Sequence, residues 1–105
     1  MLIQINTDDN VSHSAVLADG IEATVRGTLD RFANQVTRVE IHLSDENSDK
    51  KSGSANIRCM LEARLEGLQP VAVTDAAATV AQAVEGAARK MKRSLESLLG
   101  RRRER

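Results

Sequence analysis

The sequence predicts an α+β fold, a two-layer sandwich of order β-α-β-β-β-α in which a four-stranded sheet carries two helices packed on one face. Three observations lead there. Two stretches repeat their apolar residues every three or four positions, the period of one helix face. Two others alternate apolar and polar residues, the period of a strand with one buried and one wet face. Finally, 105 residues, 41% of them hydrophobic, suit one domain with one core.

The elements follow in chain order. Leu2-Ile3-Gln4-Ile5-Asn6 reads as a short strand, stopped by the turn formers Thr7-Asp8-Asp9-Asn10. Ser12 or Ser14 is placed to cap a helix running to about Ala33, whose apolar face is Leu17, Ile21, Val25, Leu29 and Phe32. Gly20 and Gly27, seven apart in that helix, each cost about 1 kcal/mol relative to Ala and so predict close approach of another backbone. Val39, Ile41 and Leu43 alternate with Arg38, Glu40, His42 and Ser44 as a second strand. Residues 45–54 contain no apolar side chain and read as a mobile loop. The clearest strand follows, with Ile57, Cys59, Leu61, Ala63 and Leu65 on one side and Arg58, Met60, Glu62 and Arg64 on the other. Gly67-Leu68-Gln69-Pro70 turns the chain into a short strand Val71-Ala72-Val73. Thr74 or Asp75 is placed to cap the last helix, in which Ala77, Val80, Val84, Ala87, Met91, Leu95 and Leu98 keep a helical rhythm up to Gly100. Residues 1–99 thus form the domain, and 100–105 a basic, mobile C-terminal tail.

Composition excludes several functions. Phe32 is the sole aromatic residue, so neither an aromatic cage nor a platform for stacking successive single-stranded bases can be built. No apolar run approaches the roughly 20 residues that span a bilayer, and Met1–Ile5 has neither the charge nor the apolar length of a signal peptide. A lone cysteine points to a reducing cytoplasm. Cys59 falls on the buried side of its strand, and no arrangement ties it to His13 or His42, so a Cys/His nucleophile pair is not expected. Asp8-Asp9-Asn10 lacks the spaced carboxylates of a calcium loop, and no phosphate loop of recognised spacing occurs. The expectation is a protein that is not an enzyme and that needs no cofactor, metal, membrane or small-molecule substrate. On the sheet's polar face, Arg38, Arg58 and Arg64 mix with Glu40, Glu62 and Glu66, which predicts cross-strand ion pairs rather than a recognition surface.

The 15 bases and 15 acids cancel, yet they are separated along the chain. Residues 1–49 carry 9 acids and 3 bases, whereas residues 89–105 alone carry 8 bases and 2 acids. Arg89, Lys90, Lys92 and Arg93 lie within two turns of the last helix, ahead of Arg101, Arg102 and Arg103. One reading is structural: bases favour the C-terminal end of a helix dipole, and Glu85 precedes Arg89 by four residues. The other is a strip that binds phosphates and releases counterions, giving affinity without base specificity.

The element order, the length and the segment Ala83-Val84-Glu85-Gly86 followed by Arg89-Lys90-Met91-Lys92-Arg93-Ser94-Leu95 resemble the ribosome hibernation-promoting factor family, also known through protein Y and once called sigma-54 modulation proteins. Lys90, Met91, Arg93 and Leu95 match its lysine-aliphatic-x-arginine-x-leucine pattern, and the resemblance runs from Leu2 to Leu98, in the short form of the family. It implies binding to the ribosomal RNA of the small ribosomal subunit, in the channel for messenger and transfer RNA, and so inhibition of translation by occlusion. It implies rRNA contacts at Lys90 and Arg93 with Arg89 and Lys92 beside them, Arg26 and Arg31 as the bases remaining in the first helix, and the Arg101-Arg102-Arg103 tail as compensation. Where the family has further bases in the first helix, this chain has Ala18, Thr24 and Gly27; after Arg93 it has Glu96. Two alternatives stay open on the residues alone: a protein-interaction domain that forms a homodimer without ribosome binding, and a double-stranded RNA-binding module.

Overall fold

The computed structural model describes residues 1–8, 15–45 and 56–103. The expected caps Ser12 and Ser14, His13, Asp9, Asn10, nearly all of the expected loop 45–54 and the end of the tail, 104–105, lie outside the described residues. The element order is β1 (Leu2–Thr7), α1 (Ala15–Thr28), a 3-10 turn (Asp30–Phe32), β2 (Val36–Asp45), β3 (Ile57–Leu65), β4 (Val71–Ala77) and α2 (Val80–Arg103). The β-α-β-β-β-α sandwich is therefore the fold.

The four strands form one mixed sheet in the order β1-β2-β3-β4. β1 runs parallel to β2, as the α1 crossover between them allows, and the other two pairs are antiparallel. Alternation sets the layers. Val39, Ile41 and Leu43 of β2 and Ile57, Cys59, Leu61, Ala63 and Leu65 of β3 are buried. Above them lie Ile21 and Val25 from α1, Leu29 just after it, and Ala83, Val84, Ala87, Ala88, Met91 and Leu95 from α2. Alanines on the inner face of α2 let its backbone approach the sheet closely. Among the described residues no helix is long and apolar enough to cross a membrane.

Four boundaries differ from the sequence expectation, each for a local reason. α1 ends at Thr28, not near Ala33, and the chain tightens into the 3-10 turn. There Phe32 N–H donates to the Leu29 carbonyl at 2.9 Å, and both side chains reach the core. β4 runs to Ala77 rather than Val73, because β3 is long enough to pair every residue of it, from Ala63↔Val71 to Ile57↔Ala77. Thr74 and Asp75 are therefore strand residues, and the cap of α2 is Thr79, whose Oγ1 accepts from the Gln82 N–H at 3.1 Å. Finally, α2 passes through Gly100 to Arg103. At 24 residues it is about 36 Å long, against about 23 Å for the seven-residue β4, so it runs past that edge strand.

The glycine expectation also changes. A Cβ added at Gly20 or Gly27 would meet nothing within 4 Å, so neither marks a close approach within the chain. The close approach is at Gly86, where a Cβ would lie 2.8 Å from Cγ of Asp75. Gly67 takes φ +77° in the turn between β3 and β4, a conformation that favours glycine there.

Candidate nucleic-acid interface

The inner side of α2 is fixed by its apolar residues, and this fixes where its bases point. Met91 and Leu95 face the sheet, so Arg89 and Arg93, one turn apart, project from the opposite side, with Lys92 on the flank. Arg89, Lys92 and Arg93 make no ion pair or hydrogen bond with a described residue; Glu85, one turn before Arg89, does not close on it. Two arginines at i and i+4 repel each other by a few tenths of a kcal/mol in a helix, a cost that structure alone does not require. A phosphate between them would remove it.

Lys90 is placed differently. Its Nζ donates to the Thr74 carbonyl at 2.8 Å and lies 3.3 Å from Oδ1 of Asp75. Asp75 crosses Gly86 to make this pair, which explains the missing side chain at position 86. The ammonium thus ties α2 to the edge strand β4. Asp75 also faces Cys59 across the β3/β4 pair, and burial together with that carboxylate pushes the thiol up to about 12. Cys59 is completely buried and stays protonated at neutral pH, the opposite of what a nucleophile needs.

The first helix offers less free charge than its sequence suggests. Arg26 pairs with Glu22 at 3.2 Å and donates to the Met1 carbonyl at 3.1 Å, tying α1 to the start of the other edge strand. Arg31 pairs with Glu96 of α2 at 3.0 Å, and its guanidinium lies 5.2 Å from the centre of the Phe32 ring. The side chains of Arg101, Arg102 and Arg103 lie outside the described residues, but their backbone continues α2.

The sheet's outer face carries an ion network, as expected. Arg64 of β3 reaches Glu40 of β2 at 3.8 Å and Glu62 at 3.6 Å, and Arg38 reaches Glu40 at 3.6 Å. Directly opposed residues have like charge, Arg38↔Arg64 and Glu40↔Glu62, so attraction runs along each strand and across the diagonal. Arg38 also donates to Gln4 of β1. Among the described residues no three His, Cys, Asp or Glu side chains converge where they could hold a metal.

Several partners were invisible to sequence reasoning. Asp75 was expected at a helix cap, and nothing local relates Arg31 to Glu96, 65 positions away. Gly86 carried the one usable signal: a glycine in the middle of an alanine-rich helix face implies something pressed against it.

The family model described as Sigma 54 modulation protein / S30EA ribosomal protein matches residues 3–103. Among solved structures, the chain is similar to the N-terminal domain of Thermus thermophilus Protein Y, at 18% identity and a TM-score of 0.74 over 93% of this chain and 99% of that one. It is also similar to a ribosomal subunit interface protein from Coxiella burnetii, at 14% identity and a TM-score of 0.76 over 95% and 99%. No curated protein sequence matches it.

Proposed function

The chain belongs to the sigma-54 modulation / S30EA ribosomal protein family, which is non-enzymatic, and from that premise we propose that it is a ribosome hibernation factor that binds the small ribosomal subunit. In this reading the outer side of α2 lies against ribosomal RNA in the channel that messenger and transfer RNA would use, and translation stops because that space is occupied. The observation that carries it is the stripe of Arg89, Lys92 and Arg93, three cations without an acidic partner among the described residues, on the part of α2 turned away from its buried side. Each would contact a phosphate and release counterions, so these contacts are salt-sensitive and carry no base preference of their own. Arg101, Arg102 and Arg103 extend the same helix; Lys90, Arg26 and Arg31 contribute field while held by their own partners. Ribosome association would place the protein in the cytoplasm.

Cosedimentation with isolated small and large subunits at low and moderate salt tests this. The proposal expects protein in the small-subunit pellet at low salt, less at moderate salt, and a matching loss of cell-free translation. No pelleting at low salt would overturn it; a dimer stable in high salt and free of RNA would then make the fold an interaction domain.

A further inference from the structure

Beside the basic stripe, where the C-terminal turns of α2 pass the 3-10 turn, lies a cavity of about 320 Å³ lined by Arg31, Phe32, Gln35, Glu96, Leu99 and Gly100. We propose that it receives one unstacked guanine base of the RNA whose phosphates lie along α2; this rests on the RNA-binding reading above. The volume is at the small end of ligand pockets and suits a single flat ring system.

The lining is suited to a base rather than to a phosphate. Phe32 is 5% exposed and forms an apolar floor, Leu99 is half-buried, and Gly100 leaves the rim without a side chain. The Arg31 guanidinium lies over the Phe32 ring while Glu96 holds it through Nη1, which places it at the cavity wall where it can stack on a base. Glu96 neutralises Arg31, which makes the pocket a poor site for a free anion. Only Oε2 of Glu96 is used by Arg31; the carboxylate remains an acceptor with open lone pairs. A guanine presents two adjacent donors, N1–H and the N2 amine, on its Watson–Crick edge, and a carboxylate accepts from both. Adenine and cytosine present one donor beside an acceptor, and uracil one donor between two acceptors, so each would set a lone pair against Glu96. Gln35, with both a donor and an acceptor, can satisfy the guanine O6. Glu96 lies one turn beyond Lys92 on α2, so a strand whose phosphates meet Arg89, Lys92 and Arg93 passes the cavity mouth.

Amide NMR titrations of the whole chain with GMP, AMP, CMP, UMP and inorganic phosphate, and with the tetranucleotides UUGU and UUAU, test the assignment without ribosomes. The expected result is saturable shifts at Gln35, Glu96 and Gly100 with GMP, at least tenfold weaker with the other mononucleotides. UUGU should bind more tightly than both GMP and UUAU and should also shift Arg89, Lys92 and Arg93. Glu96→Gln, an exposed and nearly isosteric change, should abolish the guanine preference while leaving the spectrum folded. Equal shifts from all nucleotides and from phosphate would reduce the cavity to an anion contact at Arg31 and overturn the proposal. So would an absence of shifts there. Equal affinity for GMP and UUGU would make a free nucleotide the ligand and overturn the RNA assignment. Failure of ribosome pelleting, by contrast, overturns only the functional reading above.

Discussion

The two helices carry their positive charge in opposite ways. Both bases of the α1 region that were candidates for RNA contact are spoken for: Arg26 by Glu22 and the Met1 carbonyl, Arg31 by Glu96. Among the described side chains of α2 Lys90 is the base that is held, by Asp75 and the Thr74 carbonyl, while Arg89 and Arg93 point outward and Lys92 lies on the flank, without acidic partners among the described residues. The difference follows from position. In α1 Glu22 closes on Arg26 one turn later, and Arg31 of the 3-10 turn takes Glu96 of α2, whereas Glu85 does not close on Arg89 and Glu96 is already occupied. A count of lysines and arginines therefore overstates one helix and describes the other well.

The strongest way to break this contrast is charge reversal on α2. Arg89→Glu with Arg93→Glu should lower small-subunit affinity by roughly two orders of magnitude or more at moderate salt, read by cosedimentation, since it removes two phosphate contacts and adds two repulsions. The melting temperature should barely move, because neither side chain has a described partner to lose. A large loss of stability instead would mean that the stripe is structural.

Next comes the close contact beneath the held lysine. Gly86→Ala would gain helix propensity but would drive a methyl group into the Asp75 carboxylate. Overpacking outweighs propensity here, so the expected net loss is about 1 kcal/mol, a few degrees in thermal melting. Adding Asp75→Ala should recover most of it, and a double-mutant cycle with no coupling would show that the two do not meet.

Burial of Cys59, with Asp75 beside it, leaves a pH signature. The Cys59 thiol is pushed from its ordinary 9.0 to about 12 in the folded chain. A raised acid contributes stability in full below its unfolded value and loses it as pH climbs, so stability should fall between pH 9 and about 12. At pH 8 the folded thiol should alkylate on the order of 10³-fold more slowly than the unfolded one, and rapid native alkylation would contradict the burial.

The architecture was legible because apolar periodicity dictates which side of each element is buried, and the alternation from Ile57 to Leu65 agrees with the burial of β3 residue by residue. The element ends were less so. Nothing near Thr74 and Asp75 says that β3 is long enough to keep pairing, and that pairing moved the helix cap to Thr79. The same limit applies to the site. Outward placement of Arg89 and Arg93 follows from the rhythm of Met91 and Leu95, but occupation of Lys90 by Asp75 and of Arg31 by Glu96 depends on tertiary neighbours. Local spacing showed which charges exist on a helix; only the packed chain shows which are available.

The smallest effect is expected from α1. Arg26→Ala removes one exposed ion pair worth about 0–1 kcal/mol and should change small-subunit affinity less than threefold.

The measurement that bears most directly on the contrast is the salt dependence of small-subunit binding for the parent, Arg89→Ala/Arg93→Ala and Arg26→Ala. If α2 supplies the free charge, the slope of log K against log salt should shrink by about 1.5–2 for the α2 variant and stay unchanged for the α1 variant. Equal slopes for the parent and the α2 variant, or a shrinkage confined to the α1 variant, would contradict it.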